Sequence, residues 1–265
     1  MQDATGRFST RAEHYLKARP GYPSAILEAL REASMLLDHS VIADIGSGTG
    51  LLSELFLRAG HNVMAVEPNA AMRRAGEQRL AARGGFHSID GRAEATTLPD
   101  ASVDLVTVGT AFHWFDRDAA QKEFRRILRP NGHLMVAWNQ RDQSSAFMRD
   151  YERLVERYAT DYRAARHRDI EEQALIALFA PGWITRSFAH AQAFDFDSLA
   201  DRLLSSSYAP QAGHPDHVPM LSALKTLFDA YARDGHVRFE YLALIYAGQN
   251  DRLIAAGGPS GTIPP

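Results

Sequence analysis

The sequence predicts an α/β protein built on a doubly wound, mainly parallel seven-stranded sheet with an antiparallel edge strand and a helical cap. Three observations predict it. From residue 41 to 139, short β-branched or apolar runs alternate with longer helical patterns, as parallel strands joined by crossover helices require. A glycine-rich turn separates the first run from the first of these helices. The composition, 45% hydrophobic and 23% charged over 265 residues, is that of a globular chain able to bury a core.

Each element has its own justification. Ser24 is expected to cap an amphipathic helix carrying Ile26, Leu27, Leu30 and Leu37, after an irregular segment rich in Arg, Tyr and Pro. Val41 to Ile45 reads as a buried strand. The turn and an apolar helix through Leu51, Leu52, Leu55 and Phe56 follow, ending at Gly60. His61 to Glu67 is a second strand, and Asn69 caps a helix towards Leu80. Phe86 to Asp90 is a third strand, Val103 to Val108 a fourth, and Asp118 opens a helix to Leu128. The turn Arg129-Pro130-Asn131-Gly132 then leads into a fifth strand, His133 to Asn139. A helical stretch from Ser145 to about Ala180 precedes a strand-like run from Ile184 to Phe196. Helical patterns cover Ser198 to Ser207 and Val218 to Ala232. Val237 to Ala247 alternates apolar and polar residues and is expected to close the sheet as its edge strand.

Charge and cysteine content narrow the chemistry. With 29 Lys and Arg against 32 Asp and Glu, the net charge is −3, which lacks the basic excess of nucleic-acid binders. A small-molecule partner is expected, and no nucleic acid. No apolar run approaches the ~18 residues of a membrane helix. The first residues lack a secretory or transit pattern, so no membrane and a cytoplasmic location are expected. The absence of cysteine excludes disulfides, thiolate nucleophiles and Cys-ligated zinc. No metal is expected: Asp118, close to Asp116, reads as a helix cap, and His214 and His217 flank a proline without a third ligand.

The most informative stretch is Asp44-Ile45-Gly46-Ser47-Gly48-Thr49-Gly50-Leu51. Its third glycine falls one position earlier than in the G-x-G-x-x-G turn that holds a dinucleotide pyrophosphate. The glycines let the backbone turn tightly and approach a ligand, while Asp44 would repel a pyrophosphate and attract a cation. S-adenosylmethionine, with an ammonium and a sulfonium, fits that demand. Glu67, ending the second strand before Pro68, can accept both ribose hydroxyls, and Met72 can lay its thioether on an adenine face.

The words DIGSGTG, VEPN, GRAEATTLPDASVDLV, AFHWFD and LRPNGHLMVAWN occur in that order. On them the chain resembles the class I S-adenosylmethionine-dependent methyltransferases, whose sheet is Rossmann-like. Within these it looks like the small-molecule group related to trans-aconitate and ubiquinone/menaquinone-type methyltransferases. The resemblance covers residues 10 to about 140 and includes the segment from Tyr15 to Pro23. It implies that Gly46, Ser47 and Gly48 hold the methionine part of the cofactor, Glu67 and Pro68 the ribose, and Met72 the adenine face. Arg92, Ala93 and Glu94 would meet the adenine edge, with Tyr15 and Thr110 completing the site. Relatives often have Asp where Arg92 stands, and Arg cannot accept a hydrogen bond. Adenine recognition would therefore fall to the backbone of Ala93 or to Glu94. The chain is expected to divide into an N-terminal lid segment and helix (1–40), an S-adenosylmethionine-binding core (41–139), a helical cap with the last strands (140–250) and a flexible tail (251–265).

The stretch Gly109 to Asp116 is then the expected floor of the reaction site. Methyl transfer is an in-line displacement that needs alignment and a dry cavity, which Phe112, Trp114 and Trp138 are suited to provide. His113 has a side chain suited to taking a proton from a hydroxyl or amine near neutral pH, a step unnecessary for a carboxylate acceptor. Arg11 and Arg19 are candidate anchors for an anionic acceptor, Tyr15 and Tyr22 are lid aromatics, and Ser207 and Tyr208 are expected to line the opposite wall. A module that binds S-adenosylmethionine without methyl turnover, or one using it in other biosynthetic chemistry, is the alternative. A nicotinamide-dependent dehydrogenase is disfavoured by the glycine spacing. Neither the acceptor nor the oligomeric state is written in these motifs.

Overall fold

The computed structural model describes residues 19–159, 178–179, 181–206 and 208–249. Seven strands, β1 (Val41–Ile45), β2 (Asn62–Val66), β3 (Phe86–Ile89), β4 (Val103–Val108), β5 (Leu128–Arg141), β6 (Ile184–Phe194) and β7 (Val237–Gln249), form one sheet. Their order is β3-β2-β1-β4-β5-β7-β6. The first five pair in parallel, and β7 runs antiparallel to both β5 and β6. The described helices are α1 (Ala25–Glu32), α2 (Leu51–Arg58), α3 (Ala70–Leu80), α4 (Arg117–Ile127), α5 (Ala146–Tyr158), α6 (Phe196–Leu204) and α7 (His217–Tyr231), with a short 3-10 turn at Phe112–Trp114. None of them is long and apolar enough to cross a membrane.

The central strand β1 is buried from Ile42 to Ile45 because helices cover both faces of a parallel sheet. Its alternate residues feed two cores. Ile42 joins Leu27, Leu30 and Phe56 of α1 and α2, while Ala43 and Ile45 join Phe124 and Ile127 of α4. A third core, with Tyr151, Leu199, Leu224 and Phe239, ties α5, α6 and α7 to the first half of β7. Reversal of strand order at β1 and β4 opens a crevice at their carboxyl ends, where open α/β sheets bind ligands.

The structure corrects several expectations. The edge strand is β6, and β7 lies inside the sheet. The reason is visible in burial: β7 is closed in from Ile245 to Ala247, whereas β6 exposes Thr185, Arg186 and Ser187, polar residues that suit an unpaired edge. Helix α1 stops at Glu32, leaving Leu37 66% exposed, and Ser24 at its start makes no side-chain capping bond. Asp116, not Asp118, caps α4, accepting from Ala119 N. The segment Arg129 to Gly132 bulges out of β5. Leu128 pairs with Val103 and His133 with Leu105, and Asn131 takes φ 67° to make the detour. Asn69 does cap α3, accepting from the amides of Ala71 and Met72. Helix α5 ends at Tyr158, and most of the expected continuation towards Ala180 lies outside the described residues, as do Tyr15, Arg11, Ser207 and the tail from 251.

Candidate active site

The glycine turn is fastened to the end of β2. Val66 O accepts from Gly46 N (2.9 Å) and Ser47 N (3.1 Å), and Glu67 Oε2 accepts from Gly48 N at 2.9 Å. The other Glu67 oxygen accepts from Asn69 N at 2.8 Å, so one carboxylate ties the turn to the start of α3. Burial pushes the Glu67 carboxyl up, against the pull of these two amides. Gly46 has φ +67°, and a Cβ there would stand 2.6 Å from Ala111 Cβ, so only glycine lets the loops after β1 and β4 touch. At Gly48 (φ +58°) the same atom would meet nothing within 4 Å, which leaves open space in front of the turn.

Asp44 lies deeper than the sequence suggests. It is 1% exposed, with Oδ2 accepting from Ser53 Oγ (2.5 Å) and Oδ1 from Thr107 Oγ1 (3.3 Å). Burial raises its carboxyl to about 6, although both hydroxyls favour the charged form. Its charge therefore acts on the turn through the field and not by contact. Ser53 and Thr107 were not anticipated. The signal was a hydroxyl on the buried side of α2 and another in the buried run Leu105–Val108 of β4.

On the adenine-edge side, Arg92 and Ala95 exchange backbone hydrogen bonds of 3.1 and 3.0 Å, framing the buried Ala93 between them. The Arg92 side chain points outward, 71% exposed, with Nε 3.7 Å from Glu94 Oε2. Glu94 Oε1 accepts from Asp116 N at 2.9 Å, joining this turn to the segment after β4. Glu123 of α4 holds the turn from beneath, accepting from Thr96 N (2.7 Å) and Thr96 Oγ1 (2.5 Å) and from Arg126. Met72 is buried one turn into α3, Pro68 is exposed, and Thr110 is exposed at the end of β4.

Behind Thr110, Phe112 is buried edge-on to Trp138 (6.4 Å between centroids), and His113 lies tilted against Trp114 at 4.7 Å. His113 is exposed at the surface of this turn; partial desolvation lowers its pKa, with a hydrogen bond to the Thr110 backbone opposing it. The imidazole is thus neutral at pH 7. The segment before α1 covers this end of the sheet: Tyr22 Oη lies 3.2 Å from where a Cβ of Gly109 would be. Asn139 Nδ2 donates to Gly21 O (3.1 Å), and His190 Nε2 pairs with Asn139 Oδ1 at 2.9 Å. Arg19 Nη2 donates to Ser205 O (3.2 Å), and Tyr208 Oη accepts from Arg141 Nη1 (2.7 Å). Tyr22 thus stands at the end of β4, Arg19 reaches Ser205 after α6, Tyr208 reaches Arg141 at the end of β5, and Trp138 packs with Phe112 on the other face of the sheet, whereas Gly48 and Glu67 lie at the ends of β1 and β2. Among the described residues, no cluster of three or more His, Asp or Glu could hold a metal, and His217 Nδ1 pairs with Pro210 O at 2.9 Å.

Comparison with known proteins gives this crevice a context. Residues 43–136 match the methyltransferase domain family. An uncharacterized methyltransferase of Schizosaccharomyces pombe is 34% identical over 154 residues, 57% of this chain and 59% of the relative. A ubiquinone/menaquinone biosynthesis C-methyltransferase of Hydrogenovibrio crunogenus is 36% identical over 112 residues, 40% of this chain and 44% of the relative. These matches thus span about three fifths or less of the curated relatives' own length. A proposed type II methyltransferase of Anaeromyxobacter dehalogenans shares the fold with a TM-score of 0.59 at 20% identity, over 87% of this chain and 97% of that one. A proposed methyltransferase from an antibiotic biosynthesis pathway of Anabaena variabilis does so with a TM-score of 0.57 at 23% identity, over 87% and 98%. Residues 43–136 are thus similar to the methyltransferase domain and to methyltransferase relatives in sequence, and the sheet is the one these solved structures share.

Proposed function

We propose that this chain transfers a methyl group from S-adenosylmethionine to O, N or C of a small-molecule acceptor. The observation that carries the reading is the turn itself: open space before Gly48, bounded by a buried carboxylate at the end of β2. Each Glu67 oxygen accepts one amide and keeps capacity for a ribose hydroxyl. The Asp44 charge, buried without a cation beside it, favours a cationic ligand at the turn. The residues therefore fit the cofactor.

When bound, that cofactor supplies a methyl group already activated on a sulfonium. The chain's own part is to place and dry the acceptor. Gly46, Ser47 and Gly48 receive the methionine part, Met72 and the framed Ala93 the adenine, and Phe112 and Trp138 exclude water from the reacting atoms, while Trp114, 42% exposed, stands at the rim and would need a bound acceptor to cover it. His113, neutral at pH 7, takes the proton of an acceptor O–H or N–H. Residues 41–139 form the cofactor half, and the segment before residue 41 together with residues 140–250 forms the acceptor half.

Isothermal titration of the purified chain with S-adenosylhomocysteine tests the cofactor assignment, and no heat of binding would sink it. Turnover is read separately, as release of S-adenosylhomocysteine from S-adenosylmethionine on addition of acceptors.

A further inference from the structure

Beyond the carboxyl end of β5, a polar cluster is buried where the cap meets the sheet. Arg202 of α6 is 4% exposed. Its Nε donates to Tyr241 Oη at 3.0 Å and its Nη1 to Ser206 Oγ at 3.3 Å, and its guanidinium lies 5.5 Å from the centroid of the Phe239 ring. Every one of these partners is neutral. Among the described residues Nη2 has no partner, and no carboxylate comes within ion-pair distance of Arg202. The carboxylate of the cluster, Glu152, is already engaged: its Oε2 accepts from Arg141 Nε at 2.8 Å. Its Oε1 is a buried acceptor without a partner, and the hydroxyl of fully buried Tyr151 is a donor without one. Tyr151 stands within electrostatic reach of both guanidiniums.

A buried guanidinium surrounded by phenols is unfavourable unless an anion joins it. The placement says where that anion comes from. Arg141, Tyr241 and His190 form one row across β5, β7 and β6, two residues past Asn139, which holds the segment leading to Tyr22. The cluster is therefore on the acceptor side of the crevice, opposite the glycine turn.

We propose that this cluster is the receptor for a carboxylate on the methyl acceptor, anchored by the free edge of Arg202 and the unpartnered Tyr151 hydroxyl. The proposal rests on the methyl-transfer reading and gives its substrate a class: an organic acid. A carboxylate suits the site better than a phosphate ester, because the guanidinium without a counter-charge contributes one positive charge, and a phosphate monoester at neutral pH carries nearly two negative ones. The unpartnered Glu152 Oε1 would take a hydroxyl or amine of the same molecule.

The test is isothermal titration of the full chain, first with S-adenosylhomocysteine and then, once saturated, with acetate, glutarate and benzoate. The corresponding amides and inorganic phosphate are the controls. At least one carboxylate should bind where its amide does not. Arg202→Met should weaken that binding by roughly thirty-fold or more, with Arg202→Lys between the two. Equal binding to wild type and R202M would overturn the proposal, as would failure of all three acids, or preference for phosphate. If R202M does not fold by circular dichroism, R202K decides alone, and unchanged affinity there overturns the use of the planar fork. If carboxylates bind while S-adenosylhomocysteine does not, the methyl-transfer reading falls and the anion receptor stands.

Discussion

A carboxylate with no solvent access, such as Asp44, is an energetic burden that a ligand can relieve. Its pKa of about 6 in the folded chain exceeds the ordinary value of 3.8, so the folded state holds the proton more tightly than the unfolded one. The resulting stability is fully present below pH 3.8 and is lost as pH rises through about 6, by an amount on the order of 3 kcal/mol. Asp44→Asn keeps the shape without the charge. Urea denaturation at pH 7 should show the variant more stable than wild type, by about 1–3 kcal/mol. Affinity for S-adenosylmethionine should rise between pH 5 and 7 in wild type, and much less in D44N. Glu67, whose field reaches Asp44 and whose own pKa is raised, accounts for the remaining slope. A D44N protein with the wild-type pH profile would show that the charge does not act on the ligand. Gly48 offers a complementary probe. Gly48→Ala meets no protein atom within 4 Å but holds a positive φ, so it should cost about 1–2 kcal/mol of stability while filling the ligand space. Titration should show S-adenosylhomocysteine binding lost from a folded protein.

At the scale of elements, the turn at residues 92–97, proposed to meet the adenine edge, depends on a helix it does not belong to. Glu123 of α4 receives the amide and hydroxyl of Thr96 and the guanidinium of Arg126, which hold its carboxyl at about 2. Glu123→Gln removes the anion that takes two of Arg126's donors and leaves Arg126 with Asp100. The expected cost at pH 7 is about 1–3 kcal/mol, with weaker S-adenosylhomocysteine binding because residues 92–97 loosen. The depressed pKa sets the sign: stabilisation by Glu123 is present above pH 4.5 and disappears as pH falls towards 2. Melting curves of wild type and E123Q should therefore converge in acid, and a gap that stays constant would refute this assignment. The same scale shows why one strand was misplaced. The alternation in Val237 to Gln249 is real at its start and lapses into continuous burial from Ile245, which a period of two alone does not reveal.

For the whole molecule, the half proposed to receive the acceptor is assembled from distant pieces. Asn139, two residues before the end of β5, reaches back 118 positions to Gly21 and forward 51 to His190. Asn139→Ala should cost about 1 kcal/mol and speed amide exchange in residues 19–24, as the segment loses its anchor. The acceptor KM should rise, with S-adenosylhomocysteine affinity nearly unchanged. A fall in cofactor affinity instead would mean that the segment serves the other half.

Much of the fold and the glycine-turn half of the site was legible because its signals are local. Buried runs, helix periods, the Asn69 cap and the positions needing positive φ are each set by a few neighbouring residues. Asp44, Gly46, Gly48 and Glu67 lie within 24 positions, and two adjacent parallel strands bring their ends together whatever the rest of the chain does. The acceptor half has no such code. Arg202 reads in sequence as a charge beside Leu199 and Leu203 on a helix, and only its burial against Tyr241 and Ser206 makes it an ion without a counter-charge. The sequence by itself determined the α/β fold and the shape of the glycine turn, because backbone geometry and hydrophobic period are short-range. Which strand became the edge, where Asn139 reaches, and how Arg141, Arg202 and their tyrosines converge were decided by tertiary structure, because side chains dozens of positions apart meet only when the cap closes on the sheet.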